Sequence, residues 1–246
     1  MPINYLASLT APRRTARANL HLGTSLAFIA GAVNAGGFVA IGRYTSHMTG
    51  MLSSASDGLA LGELAVVATA FLAILSFVLG AASTAVIVNY TRRNSQRNAY
   101  TPPLLLEAVL LLVFGLVGKH LQTHELVRLS LTAILLSYTM GLQNALITKI
   151  SNAEIRTTHV TGLFTDIGIE LGKLFYWNRA AARAGGPQVM ANRNRLRVHV
   201  LLVLAFFAGG VAGALGFRLA GFVTTIPLAI ALVVMSSAPA FAPQRQ

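Results

Sequence analysis

The hexapeptide "TSHMTG" at residues 45–50 returns as "TTHVTG" at residues 157–162, and whether these two polar segments cross a membrane decides the fold of everything around them. The rest of the chain is strongly apolar. Of its 246 residues, 54% are hydrophobic and 11% charged, and the charges fall between long uncharged runs, the profile of a polytopic membrane protein. From charge to charge those runs are Leu22 to Gly42, Leu64 to Thr91, Ala108 to Gly118, Leu129 to Thr148, Val198 to Phe217 and Leu219 to Pro239. A crossing helix takes roughly 20 apolar residues. The third run reaches that length by extending back through Glu107 to Leu104, where Pro102 and Pro103 suit a helix start because a proline there forfeits no hydrogen bond. The expectation is an all-α membrane protein with six transmembrane helices.

Charge decides what the hexapeptides do. With the N-terminus inside and only the six runs crossing, fifteen of the nineteen Lys and Arg residues lie on the cytoplasmic side, and only Arg43, Lys119, Arg128 and Arg218 lie outside. If segments 44–62 and 157–172 also cross, the division becomes twelve against seven; if only the second crosses, nine against ten. Cytoplasmic loops retain basic residues. The pattern therefore favours both motif segments entering without traversing, or lying at the surface, in an inner membrane with both termini cytoplasmic. The net charge of +12 is then orientation and attraction to anionic lipid headgroups. A nucleic-acid partner finds no support, since no basic stripe with interleaved aromatics is present.

Arg13, Arg14 and Arg17 before a run containing Ala30-Gly31-Ala32 also suit a secretory signal peptide. That reading is set aside because cleavage would destroy the first copy of a repeat. The chain has no cysteine, so neither a disulfide framework nor a thiolate metal site is available.

The repeat extends beyond the hexapeptides. "GAVNA" (residues 31–35) precedes the first and "GLQNA" (141–145) the second; "DGLALGE" (57–63) and "DIGIELGK" (166–173) follow. Asn34 lies 13 residues before His47, and Asn144 lies 15 before His159. Three helices per unit is an odd number, so the second unit enters from the opposite side. The expectation is one membrane domain over 1–246, with a cytoplasmic segment at 1–19, unit one at about 20–119 and its inverted copy at about 126–238. Inverted repeats recur in secondary transporters, whose sites lie near the midplane where broken helices meet, and they occur in channels too.

The Asn-containing first helix, the "SHMTG" turn and the block "MGLQNALITKI...TTHVTGLFTDIGIELGK" resemble the YoaK-type family of bacterial integral membrane proteins, a domain of unknown function, over about residues 20–235. One position departs: Met51 stands where that family leads one to expect Asn. The resemblance implies a six-helix inner-membrane protein and supplies no substrate.

Chemistry must come from the motifs. Thr49 and Thr161 can cap helix starts, and Gly50 and Gly162 permit a chain break. Helices beginning there would aim free amides at an anion. His47 and His159 titrate near neutral pH when unperturbed and suit a proton or an anionic solute. Asp166 lies seven residues after His159 and Asp57 ten after His47, so each half can hold a His and Asp pair on a continuous helix. The candidate site for a solute or proton is thus Asn34, His47, Thr49, Gly50, Asn144, His159, Thr161, Gly162 and Asp166, with Gln143 beside them. In the competing reading these residues serve packing: His47 sits at headgroup level, and Asn, Thr, Ser and Gly knit helices together.

Gly209 and Gly213 form a small-residue face for packing within the chain or for a homodimer. Glu107 is expected to snorkel or to pair with a basic residue, His120 and His124 to sit in an exposed loop, and residues 181–195 to be a linker. No enzyme motif is present: there is no phosphate loop, no His-Glu-x-x-His and no Gly-x-Ser-x-Gly, and no metal or cofactor is expected. The function expected is passage of a small solute, with a non-transporting membrane scaffold as the alternative.

Overall fold

The computed structural model describes residues 15–42, 44–94, 99–120, 125–150, 160–177 and 188–237. Among them there is no strand. The helices are α1 (Ala16–Ile41), α2 (Met48–Leu61), α3 (Leu64–Asn94), α4 (Thr101–His120), α5 (Glu125–Ile150), α6 (Val160–Leu174), α7 (Arg193–Ala220) and α8 (Thr225–Ser237). Five stretches are long and apolar enough to cross a membrane: Arg17–Ala40, Leu64–Asn94, Thr101–Lys119, Leu131–Ile150 and Arg193–Ser236. The last contains the fifth run and most of the sixth, and is broken between α7 and α8 by Gly221 at φ +60 and a 3-10 turn, Gly221–Thr224. Pro102 and Pro103 lie in the first turn of α4, as expected. The linker ends earlier than composition suggests, because Asn192 caps α7 by accepting a hydrogen bond from the Arg195 amide.

Packing follows the solvent. On α3 the buried positions are Ala70, Ala73, Ser76, Gly80, Thr84 and Val88, while Phe71, Leu72, Leu75, Val78, Leu79 and Val86 are exposed. Small residues inside and large ones outside suit a lipid-facing helix, whose neighbours associate through close backbone contact.

Four of the helices meet in two matched pairs. A methyl group added at Gly31 of α1 would collide with the Phe206 carbonyl of α7, and one added at Gly209 of α7 with the Phe28 carbonyl of α1. A methyl at Gly80 of α3 would strike the Tyr138 carbonyl of α5, and one at Gly141 the Phe77 carbonyl. Each of the four helices thus carries an aromatic residue three positions before a glycine and receives its partner's carbonyl at that glycine. Further along the first pair Gly213 abuts Ala32 and Gly36 abuts Phe217, so α1 and α7 run in the same direction. The small faces of Gly209 and Gly213 are filled by α1, and we propose no dimer through them. At the corresponding level of the second pair, Thr84 donates to the Leu142 carbonyl at 2.9 Å.

The pairs face each other in opposite senses. Gln143 of α5 donates to the Leu26 carbonyl of α1 at 3.1 Å, while Leu136 lies against Gly37. α4 and α8 likewise run oppositely: Thr101 donates to the Ser236 carbonyl at 3.2 Å at one end, and Gly115 abuts Thr225 at the other.

Candidate functional site

After α1 the chain doubles back. Gly42, at φ +71, takes the left-handed conformation that ends the helix, and its amide returns to the Phe38 carbonyl at 2.7 Å. Tyr44 then stacks on Phe38 with ring centroids 4.4 Å apart, and the Ser46 hydroxyl donates to Asn34 Oδ1 at 2.7 Å. Asn34 lies seven residues before the end of α1, roughly 10 Å along its axis. The polar hexapeptide therefore descends beside α1 before α2 begins.

His47 occupies the cap position of α2 and makes no side-chain cap hydrogen bond, which corrects the expectation that Thr49 caps this helix. Thr49 is exposed in the first turn. Gly50 has a structural duty: a methyl there would run into the His47 ring, so glycine lets the imidazole fold against the helix start. A cavity of about 370 Å³ opens beside it, lined by Phe38, Tyr44, His47, Gly50, Ser54 and Ala70 among others. Thr45, two residues ahead of the histidine, is fully buried, and among the described residues its hydroxyl has no hydrogen-bond partner. Asp57 does not join this site. α2 is continuous, so Asp57 is carried roughly 15 Å from His47 and stands exposed.

In the second half His159 lies outside the described residues. α6 starts at Val160, with Thr161 and Gly162 exposed in its first turn. Asn144 is buried and donates to the Met140 carbonyl at 2.9 Å within α5. Asp166 meets α7, accepting from Arg195 at 3.2 Å and lying 3.8 Å from His199 Nδ1. One turn on, the buried Glu170 accepts from Lys173 at 2.8 Å and from the Asn192 amide at 2.6 Å. The Lys173 hydrogen bond first, and the Asn192 amide second, hold its carboxyl below the usual carboxylate range. The same level of the first half is apolar, with Gly58 packed against Val66 and Val67. The two motif helices are therefore held differently: α6 by charge and hydrogen bonds to α7, α2 by aliphatic contact with α3.

Ser46, Tyr44, Glu170, Arg195 and His199 were not among the expected site residues, although Ser46 stands inside the quoted hexapeptide. Glu107 departs from expectation most clearly. It neither snorkels nor pairs: it is 1% exposed, and among the described residues it forms no ion pair.

Among proteins that resemble the chain, "UPF0700 transmembrane protein YoaK" of Bacillus subtilis (strain 168) is 29% identical over 156 residues, which are 61% of this chain and 67% of that protein. No solved structure matches. The family model described as "Protein of unknown function (DUF1275)" matches residues 22–238, and the chain belongs to that family of multi-pass membrane proteins.

Proposed function

We propose that this DUF1275 member carries a small solute, anionic or moved together with protons, across the bacterial inner membrane through a site built on its two His-x-Thr-Gly motifs. The observation that carries the reading is the descent of residues 44–47 beside α1, which starts a helix at His47 next to the Asn34 and Ser46 hydrogen bond and a cavity of about 370 Å³. That volume falls within the range of small-molecule pockets. A helix start leaves its first amides without partners inside the helix and favours negative charge, which makes a small anion the first class to test.

The chain then has six crossings in two inverted units: α1, α3 and α4, then α5, α7 and α8, with α2 and α6 as half-helices entering from opposite faces. The matched glycine locks support this. The lock of α1 onto α7 corresponds to that of α5 onto α3, as exchange of the two units requires, and α1 and α5 run oppositely. The exposed Phe175, Tyr176 and Trp177 after α6 suit a headgroup-level anchor at the cytoplasmic face. Charge bias favours both termini in the cytoplasm. The ion-paired α6 end is the closed side in this reading, and the α2 end is open.

Uptake into vesicles containing the purified chain, screened across small organic and inorganic anions with and without a pH gradient, tests the proposal. Uptake of one of them that is lost in His47→Ala supports it. A folded protein that moves none of them is instead a scaffold whose repeat serves packing.

A further inference from the structure

Glu107 is the only acidic residue within the five apolar stretches. Its side chain is buried on α4 among core positions that include Leu104, Ala108 and Leu111, and its Oε2 atom has no hydrogen-bond partner among the described residues. The Tyr100 hydroxyl donates to the Lys149 carbonyl at 3.4 Å, which sets α4 and α5 in register. Glu107 lies seven residues beyond that contact on α4, and Gln143 lies six residues back on α5, each roughly 10 Å away along its helix. Gln143 directs its amide to Leu26, and its Oε1 is likewise buried without a partner among the described residues. One level of the bundle therefore holds two buried oxygen acceptors that no donor among the described residues satisfies.

Among the described residues no ion pair answers the carboxyl. On α3 the titratable groups are Tyr90, Arg92 and Arg93 toward the cytoplasmic end, and Arg92 donates to the Tyr100 hydroxyl. α5 carries Tyr138 and Lys149, with Glu125 and Arg128 at its far end; α4 itself adds Lys119 and His120 at its far end. α8 and the 3-10 turn carry none; α7, whose Phe217 ring meets Phe114 of α4, has Arg218 next to that contact, at the far end; and α1, reached through Gln143, has Arg17 and His21. Leaving a carboxylate unpaired in an apolar interior costs far more than leaving a neutral acid there, and the acid adds an O–H donor at a level with two unpartnered acceptors.

We propose that Glu107 is a proton-binding site. The carboxylate takes a proton from water when the bundle admits water to it, the neutral acid is the form held in the closed core, and the proton returns to water when the site is next hydrated. One O–H bond forms and the same bond breaks, so no other reactant is needed. Its use in coupling rests on the transport reading above; the site itself does not.

The full chain in lipid vesicles, treated with dicyclohexylcarbodiimide and read by peptide mass spectrometry, tests the site, because that reagent adds to protonated carboxyls in apolar surroundings. The adduct is expected on the peptide containing Glu107, forming more slowly as pH rises and absent in Glu107→Gln. The pH series on the unaltered chain keeps the test decisive even if the variant folds poorly. No adduct at Glu107 in the folded protein, or formation independent of pH, overturns the site. An adduct with no solute uptake under any pH gradient overturns the transport reading and leaves the site standing.

Discussion

Replacing Gly141 by alanine places a methyl carbon against the Phe77 carbonyl, more than 1 Å inside the 3.4 Å at which ordinary contact begins. A side chain could rotate away, but a helix carbonyl is fixed by its own hydrogen bond, so α3 and α5 must move apart together. Overpacking of a fitted interior costs about 1–3 kcal/mol, and a backbone obstacle belongs at the upper end. Alanine recovers about 1 kcal/mol of helix propensity over glycine, which leaves a net loss of about 2 kcal/mol. Gly210 is the matched control: a methyl there lies 3.6 Å from the Ala35 side chain, in ordinary contact, so Gly210→Ala keeps only the gain. Reversible unfolding in mixed micelles, or steric trapping in bicelles, should separate the two variants by about 3 kcal/mol. Gly80→Ala combined with Gly141→Ala should be less than additive because both open one interface, whereas Gly31→Ala with Gly141→Ala should add. Equal stability of Gly141→Ala and Gly210→Ala would refute the carbonyl contact, and the paired locks with it.

Other expectations follow from the motif helices. His47→Ala and His159→Ala should each abolish uptake with the fold intact, and the double variant should be no worse than either, since residues of one site act as a unit; additive stability losses with uptake preserved would leave the repeat a packing device. Ser46→Ala should cost about 1 kcal/mol by freeing Asn34 Oδ1, and Asn34→Ala should lose no more, as thermal unfolding can measure. Single cysteines at Asn94, Gln122 and Gln188 should react with an impermeant reagent in intact cells only at Gln122; reaction at Gln188 would overturn the six-crossing topology. Glu170 is held ionised more readily in the folded state than in the unfolded one, so its contribution to stability is present above the unfolded value of about 4.3 and fades as pH falls through the lowered folded value. The stability difference between the parent chain and Glu170→Gln should therefore be largest at neutral pH and close in acid.

The five apolar stretches were legible because a bilayer demands uncharged runs of a given length, and no tertiary detail alters that demand. The break before α2 was legible too, since histidine, threonine and glycine interrupting an apolar run have few other uses. The locks were not. Their common element is an aromatic residue three positions before a glycine, at Phe28, Phe77, Tyr138 and Phe206. It contains one identical residue in four, and each lock joins a helix of one half to a helix of the other. Nor could sequence aim Glu107: a charge near the end of an apolar run ordinarily snorkels, and only the packing of α4 turned this one inward.

The lock between α1 and α7 joins positions about 180 residues apart, while that between α3 and α5 joins positions about 60 apart. At about 5–20 residues per second, the ribosome releases α7 roughly 10–35 s after α1. For that interval α1 is a helix whose glycine face has nothing to meet but lipid, the nascent chain or a membrane chaperone. Of the two locks, that of α3 on α5 can close first, and that of α1 on α7 closes only when α7 displaces whatever α1 has been holding, so a helix made near the end of the chain decides whether the first helix reaches its place.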